Sequence, residues 1–267
     1  MAEERPLRVA HLYPDLMNLY GDRGNVIALR RRLEWHGIPY ELVGVAPGDA
    51  VDLRSFDLIF FGGGQDREQR LVCQDFGCRF PALSQTRAEN IRRAAAEGVA
   101  ILAVCGGYQL LGRYYRTAEG EMMPGLEVLD AWTEGGSERL IGDVVAEASP
   151  ALVPTAPRPT LVGFENHSGR TFLGPKAAPL ARVLVGAGNN GQDGTEGAFQ
   201  GSVFGTYLHG SLLPKNPWFA DLLIERALAH KTGSMVRLQP LDDRLEAQAH
   251  EAAIANAMRK RGRAARA

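Results

Sequence analysis

The stretch AVCGGYQLLG, residues 103–112, ends an apolar run on a cysteine and continues through two glycines into a helix-like pattern. A strand that enters a helix through Cys-Gly-Gly turns sharply, and glycines tolerate the required backbone angles while leaving room beside the sulfur. N–H groups at the helix start, with the positive end of its dipole, favour the thiolate of Cys105. Together with the N–H groups of the Gly62 to Gly64 run, they could hold a tetrahedral oxyanion. The competing reading is a buried structural thiol with close-packed glycines. A thiolate nucleophile needs a base that can later protonate a leaving amine, and histidine is the usual choice. His209, in GTYLHGS, follows an apolar run and precedes a glycine. That places its ring at an exposed strand end and ranks it above His11, His36, His167, His230 and His250. Cys73 and Cys78 have no matching Cys/His pair to complete a four-ligand set, so no metal site is expected.

Positioning these groups requires a frame, and the first half of the chain supplies its pattern. LRVAHLY (7–13) reads as a buried strand, and NVIALRRRLEWHGI (25–38) puts Val26, Leu29 and Leu33 on one helical face. YELVGV and FDLIFFGGG add two apolar runs. TRAENIRRAAAEG (86–98) is a helix pattern closed by Gly98 in a left-handed cap, and VAILAVC is a further wholly apolar strand. Strands alternating with helices predict an α/β fold, with a mainly parallel central sheet flanked by helices. Ligands in such folds bind beyond the carboxyl ends of the strands, where Gly62–Gly64 and Cys105 both fall. Past about residue 125 shorter runs predict additional antiparallel strands: LEVLDAW, RLIGDVVAE, TLVGFENHSG and ARVLVGAG. GAFQGSVFGTYLHG reads as a final strand leading to His209. NPWFADLLIERALAHKTG (216–233) is an amphipathic helix, and SPALVPTAPRPT (149–160) is a surface loop. The expected organisation is one domain over residues 1–240 and a helical, basic, frayed tail over 241–267.

Composition sets outer limits. A content of 45% hydrophobic and 23% charged residues is ordinary for a globular protein, and the net charge of −1 gives no argument for nucleic-acid or membrane binding. The N-terminus has acidic residues where a signal peptide has basic ones, and no apolar run approaches a membrane span, so the expected location is cytoplasmic. Three cysteines make a disulfide framework improbable.

FFGGGQD, AVCGGYQLLG and GTYLHGSLLPKNP together resemble the class I glutamine amidotransferases, in the branch similar to cobyric acid synthase. YGDRGN (20–25), SERLIGDVV (137–145), GFENHSGRT (163–171) and GNNGQDGTEG (188–197) are similar, more closely, to the glutaminase subunits of lipid II isoglutaminyl synthases. The resemblance spans roughly residues 7–232 and leaves only the tail unaccounted for. It implies that Cys105 attacks the side-chain amide of L-glutamine with His209 as base, and that water then releases glutamate from the thioester. It assigns Arg139 to holding glutamine, a role suited to its planar fork. Gly63, Gly64 and Gly106 are the candidate backbone contacts to oxyanion and substrate.

Many class I enzymes read His-x-Glu, but Ser211 occupies the acid's place here, so the triad is incomplete in this stretch. The acid comes from elsewhere in the chain or from a partner subunit. No cofactor is expected in this chain, because its glycine clusters lack the lysine spacing of a P-loop. The resemblance implies a MurT-type, Mur-ligase-like partner that uses ATP and magnesium on the D-glutamate of the lipid II stem peptide. The alternatives are the glutaminase component of a cobyric acid synthase-like amidation, a non-catalytic scaffold subunit, and a cysteine hydrolase acting on another amide.

Overall fold

Short apolar runs without polar alternation bury both faces, which pairs them in parallel beneath helices. The computed structural model describes residues 5–209 and 212–264. In chain order the first half runs β1 (Leu7–Leu12), α1 (Arg23–Trp35), β2 (Tyr40–Val45), β3 (Leu58–Phe61), α2 (Asp66–Phe76) and the two-residue strands β4 (Arg79–Phe80) and β5 (Gln85–Thr86). α3 (Arg87–Ala96), β6 (Ala100–Val104) and α4 (Gly106–Leu111) complete it. The second half contains β7 (Tyr114–Arg116), β8 (Met122–Pro124), β9 (Ala131–Ala148), β10 (Thr160–Leu173) and β11 (Ala181–Val185). It continues through β12 (Thr195–Glu196), β13 (Ala198–Gln200), β14 (Val203–Thr206), α5 (Pro217–Thr232) and α6 (Arg244–Ala264).

The main sheet has the order β13-β14-β6-β3-β1-β2 and is parallel except for β13. Every residue of β3, β6 and β14 is buried, and Phe56, Phe60, Phe204 and Phe219 fill the core around them. Parallel pairing brings the carboxyl ends of β3, β6 and β14 to one edge, where Gly62, Cys105 and Tyr207 emerge together. A second sheet is built on the long β9–β10 ribbon, paired antiparallel from Thr160↔Glu147 to Leu173↔Ala131 with a register shift between His167 and Gly169. The two sheets are stitched at the site itself. His209 N–H donates to the Phe164 carbonyl (2.8 Å), and Phe164 N–H donates to that of His209 (3.2 Å).

Several elements depart from expectation for identifiable reasons. GAFQGSVFGTYLHG forms two strands rather than one, because Gly201 at φ +62 folds β13 back on β14. LEVLDAW becomes a strand only from Ala131, since Glu127 takes a left-handed conformation at φ 54. α2 was not expected from its pattern, although a Gln65/Glu68 capping box opens it. Gly98 closes the α3 turn at φ +93, as its position predicted. α6 lies against the second sheet: Ala257 is buried with Val145 and Val162, and Lys260 pairs with Asp143 (2.6 Å). No described helix is long and apolar enough to cross a membrane.

Candidate active site

Cys105 sits between β6 and α4 with φ 47 and ψ −105, a region that L-residues seldom adopt. The positive φ falls on the cysteine itself and not on Gly106 or Gly107, which corrects the expectation that the glycines absorb the turn. Such a conformation costs roughly 1–3 kcal/mol and persists only where the surroundings impose it. Here Cys105 N–H donates to the Thr206 carbonyl (2.8 Å), and the Cys105 carbonyl accepts the Gln109 N–H (2.9 Å). The glycines meet a different requirement, that of close approach. A Cβ on Gly106 would stand 2.6 Å from the Gly64 carbonyl oxygen, and one on Gly107 would stand 2.7 Å from that of Phe61.

Gly63 is flanked by the other two groups of interest. A Cβ placed on it would lie 2.8 Å from His209 Cε1, 3.0 Å from Asp22 Oδ2 and 3.4 Å from Cys105 Cβ. The structure therefore brings Cys105 and His209 together, although their positions are far apart in sequence. The imidazole is fully buried, not exposed at a strand end, because Tyr20 packs edge-on against it at 4.9 Å between ring centroids.

The acid absent beside His209 is supplied from the loop before α1. Asp22, fully buried, places Oδ1 3.1 Å from His209 Nδ1, and its Oδ2 accepts the Gly63 N–H (2.8 Å). That fixes the imidazole with Nδ1–H donating to the carboxylate and leaves Nε2, which has no partner among the described residues. Burial lowers the affinity of the imidazole for its proton, but the neighbouring Cys105 and Asp22 outweigh it and raise the pKa to about 10. Sequence inspection missed Asp22 because it precedes His209 by 187 residues; the only local signal was its place in YGDRGN. Ser211 lies outside the described residues.

The N–H groups of Gly64 and Gly106 have no acceptor among the described residues, whereas that of Gly63 is committed to Asp22 and its carbonyl to Leu19 N–H. Gly64 and Gly106 thus retain donors for an oxyanion, and Gly63 serves instead to hold the acid. Beneath them Gln69 Nε2 donates to the Gly64 carbonyl (3.2 Å) and to Gln109 Oε1 (3.0 Å), and Gln109 Nε2 donates to Tyr207 Oη (3.2 Å).

A cavity of about 290 Å³ opens over the sulfur, and Arg139, Arg67, Asp66 and Tyr115 share its wall with Cys105. Arg139, on the exposed part of β9, donates from Nε to Asn166 Oδ1 (2.9 Å) and from Nη2 to the Asn166 carbonyl (3.0 Å). This anchors the guanidinium while leaving Nη1 for a carboxylate. His167 also lines the cavity, but its Nδ1 is engaged by the Gly169 carbonyl (2.8 Å) and its ring stacks on Tyr207. His36, His230 and His250 are tied to Asp221, Asp57 and Thr160, and none of them borders the cavity. Of the other thiols, Cys73 is pushed up to about 11 by burial and by Glu121, which disfavours its thiolate.

A strained cysteine elbow at the edge of a parallel sheet, beside a carboxylate-held histidine and free backbone donors, defines a thiol-dependent amide hydrolase or transferase. Residues 8–217 match the CobB/CobQ-like glutamine amidotransferase domain, and the chain belongs to that family. It is 37% identical to the lipid II isoglutaminyl synthase (glutamine-hydrolyzing) subunit GatD of Staphylococcus aureus, over 96% of this chain and 98% of that one. Identity to the subunit of the same name from Streptococcus pneumoniae is 38%, over 92% and 89% of the two chains. PurLQS from Thermotoga maritima superposes with a TM-score of 0.54 at 18% identity, covering 86% of this chain and 99% of that chain, which supports the fold alone.

Proposed function

We propose that this chain is the glutamine-hydrolysing subunit of a lipid II isoglutaminyl synthase. The observation that carries the chemistry is Cys105 beside a His209 oriented by Asp22, and the near full-length similarity to the two GatD subunits supports the pathway assignment. His209 Nε2 takes the Cys105 proton, and the sulfur attacks the side-chain amide carbon of L-glutamine. The oxyanion forms toward the Gly64 and Gly106 N–H groups. His209 returns the proton to the departing nitrogen, ammonia leaves, and a thioester remains. Water, deprotonated by His209, then cleaves the thioester to glutamate and restores the thiol. Throughout, Asp22 holds Nδ1 and favours the imidazolium formed in each step. Arg139 receives the α-carboxylate.

The ammonia is delivered to a MurT-type, Mur-ligase-like subunit, which uses ATP and magnesium to activate the α-carboxylate of D-glutamate in the lipid II stem peptide. The product is D-isoglutamine in the peptidoglycan precursor, made at the cytoplasmic side. No cofactor is assigned to this chain. The test is glutamate release from L-glutamine by the purified chain and by its complex with the co-expressed ligase, each with wild-type protein and Cys105→Ala. Release that the substitution abolishes, with amidation of lipid II by the complex, is the expected result. Folded complex that releases no glutamate overturns the reading.

A further inference from the structure

Among the described residues, one carboxylate lines the cavity over Cys105. Asp66 opens α2, and the other acid of that first turn, Glu68, folds back onto the Gln65 N–H (3.2 Å) and does not line the cavity. Tyr115, itself buried, donates from Oη to Asp66 Oδ1 (3.1 Å), which pins the carboxylate from one side. Asp66 Oδ2 accepts no hydrogen bond among the described residues, and Asp66 is only partly buried, so this oxygen is available to an occupant. The guanidinium groups of Arg67 and Arg139 are the other charges on the wall among the described residues.

A substrate that presents its amide to Cys105 and its carboxylate to Arg139 has one ionic group left to place. In an α-amino acid that group is an ammonium, which a lone carboxylate complements in charge and hydrogen bonding. From this arrangement we infer that Asp66, oriented by Tyr115, binds the α-ammonium of the substrate and makes the site selective for a free α-amino acid amide. Amides with the same length and carboxylate but no ammonium forgo the charge-assisted bond to Asp66 Oδ2 and bind less well. Asp66 is a specificity-determining residue that takes no part in proton transfer at the sulfur. The inference rests on the glutaminase reading above.

The test compares, in the complex with the ligase subunit, L-glutamine with its analogue lacking the α-amino group and with N-acetyl-L-glutamine. Wild-type enzyme is expected to favour L-glutamine in kcat/KM by about 10- to 100-fold, the range of one charge-assisted hydrogen bond. Asp66→Asn should raise the KM for glutamine by about the same factor, leave kcat within about threefold, and change the two analogues little. Asp66→Glu should recover part of the preference. Equal use of glutamine and the deaminated analogue by wild-type enzyme overturns the inference without any variant. Parallel losses on all three substrates in Asp66→Asn overturn it as well, because they mark a structural role. If wild-type complex releases no glutamate at all, the glutaminase reading itself has failed; release without discrimination removes only the role of Asp66.

Discussion

Cys105 bears the strain at the site, and His209 receives its orientation from an acid distant in sequence. Cys105→Ala should abolish glutamate release, a loss of at least about 10³-fold, while leaving the fold intact by circular dichroism. Asp22→Asn keeps the shape but removes the charge behind Nδ1 and should lower kcat roughly 10²- to 10⁴-fold, as expected when an imidazole loses its orienting carboxylate. The same variant has a stability signature. The His209 imidazole is opposed by burial but raised to about 10 by Cys105 and Asp22. A pKa lifted above the ordinary 6.5 contributes stability that is complete below 6.5 and is lost as pH rises through about 10. The difference in melting temperature between wild type and Asp22→Asn should therefore shrink as pH rises through about 10; a constant difference would argue against the charge pairing. The cysteine, the histidine and the arginine were recognisable from sequence because each lies in a short distinctive motif. Asp22 also lies in such a motif, YGDRGN, but nothing in that motif pairs the acid with His209.

At the level of elements, the elbow depends on three chain segments approaching almost backbone to backbone. Gly106→Ala would drive a methyl group to 2.6 Å from the Gly64 carbonyl oxygen, where neither partner is a flexible side chain. It should cost about 1–3 kcal/mol of stability by overpacking and reduce activity further by displacing the oxyanion donors, measurable by urea unfolding alongside glutamate release. α6 belongs to a separate balance. Ala257→Glu would place a carboxylate against Val145 and Val162, in a contact that excludes water. It should destabilise the docking of α6 by about 1–3 kcal/mol, seen as faster amide exchange in α6 and β9. The alternating apolar and helical pattern of the first half was legible because burial on both faces demands it. α2 did not stand out because it carries no long apolar run, although its few apolar residues do fall on one face, and the β13–β14 hairpin did not because one glycine decides whether the run continues or folds back.

For the molecule as a whole, the two sheets meet at His209 and Phe164, and behind that seam lies a charge with no exposed face. Glu196 is fully buried; its Oε1 accepts the Thr206 hydroxyl (2.6 Å) and the Tyr207 N–H (2.9 Å), bracing the end of β14 from which the chain continues to His209. Burial raises its carboxyl to about 7 in spite of those bonds. The folded protein thus binds a proton that the unfolded chain has released, so this group makes stability fall as pH rises from its ordinary 4.5 through about 7. The shift corresponds to about 3 kcal/mol, and Glu196→Gln should flatten that slope in denaturant titrations across this range. An unchanged slope would mean that Glu196 titrates normally.

The sequence by itself determined the alternation of buried strands and helices, the cysteine at a strand end and the histidine after the last apolar run, while the role of Arg139 came from the family resemblance. Those properties are local, set by periodicity, by glycine placement and by the few residue types able to perform the chemistry. Only the tertiary structure decided which acid completes the histidine, which glycine N–H groups remain free, and which carboxylate shares the cavity with the sulfur. Each of these depends on segments joined through parallel pairing and packed loops, and the distance between side chains across such a junction has no counterpart in their separation along the chain.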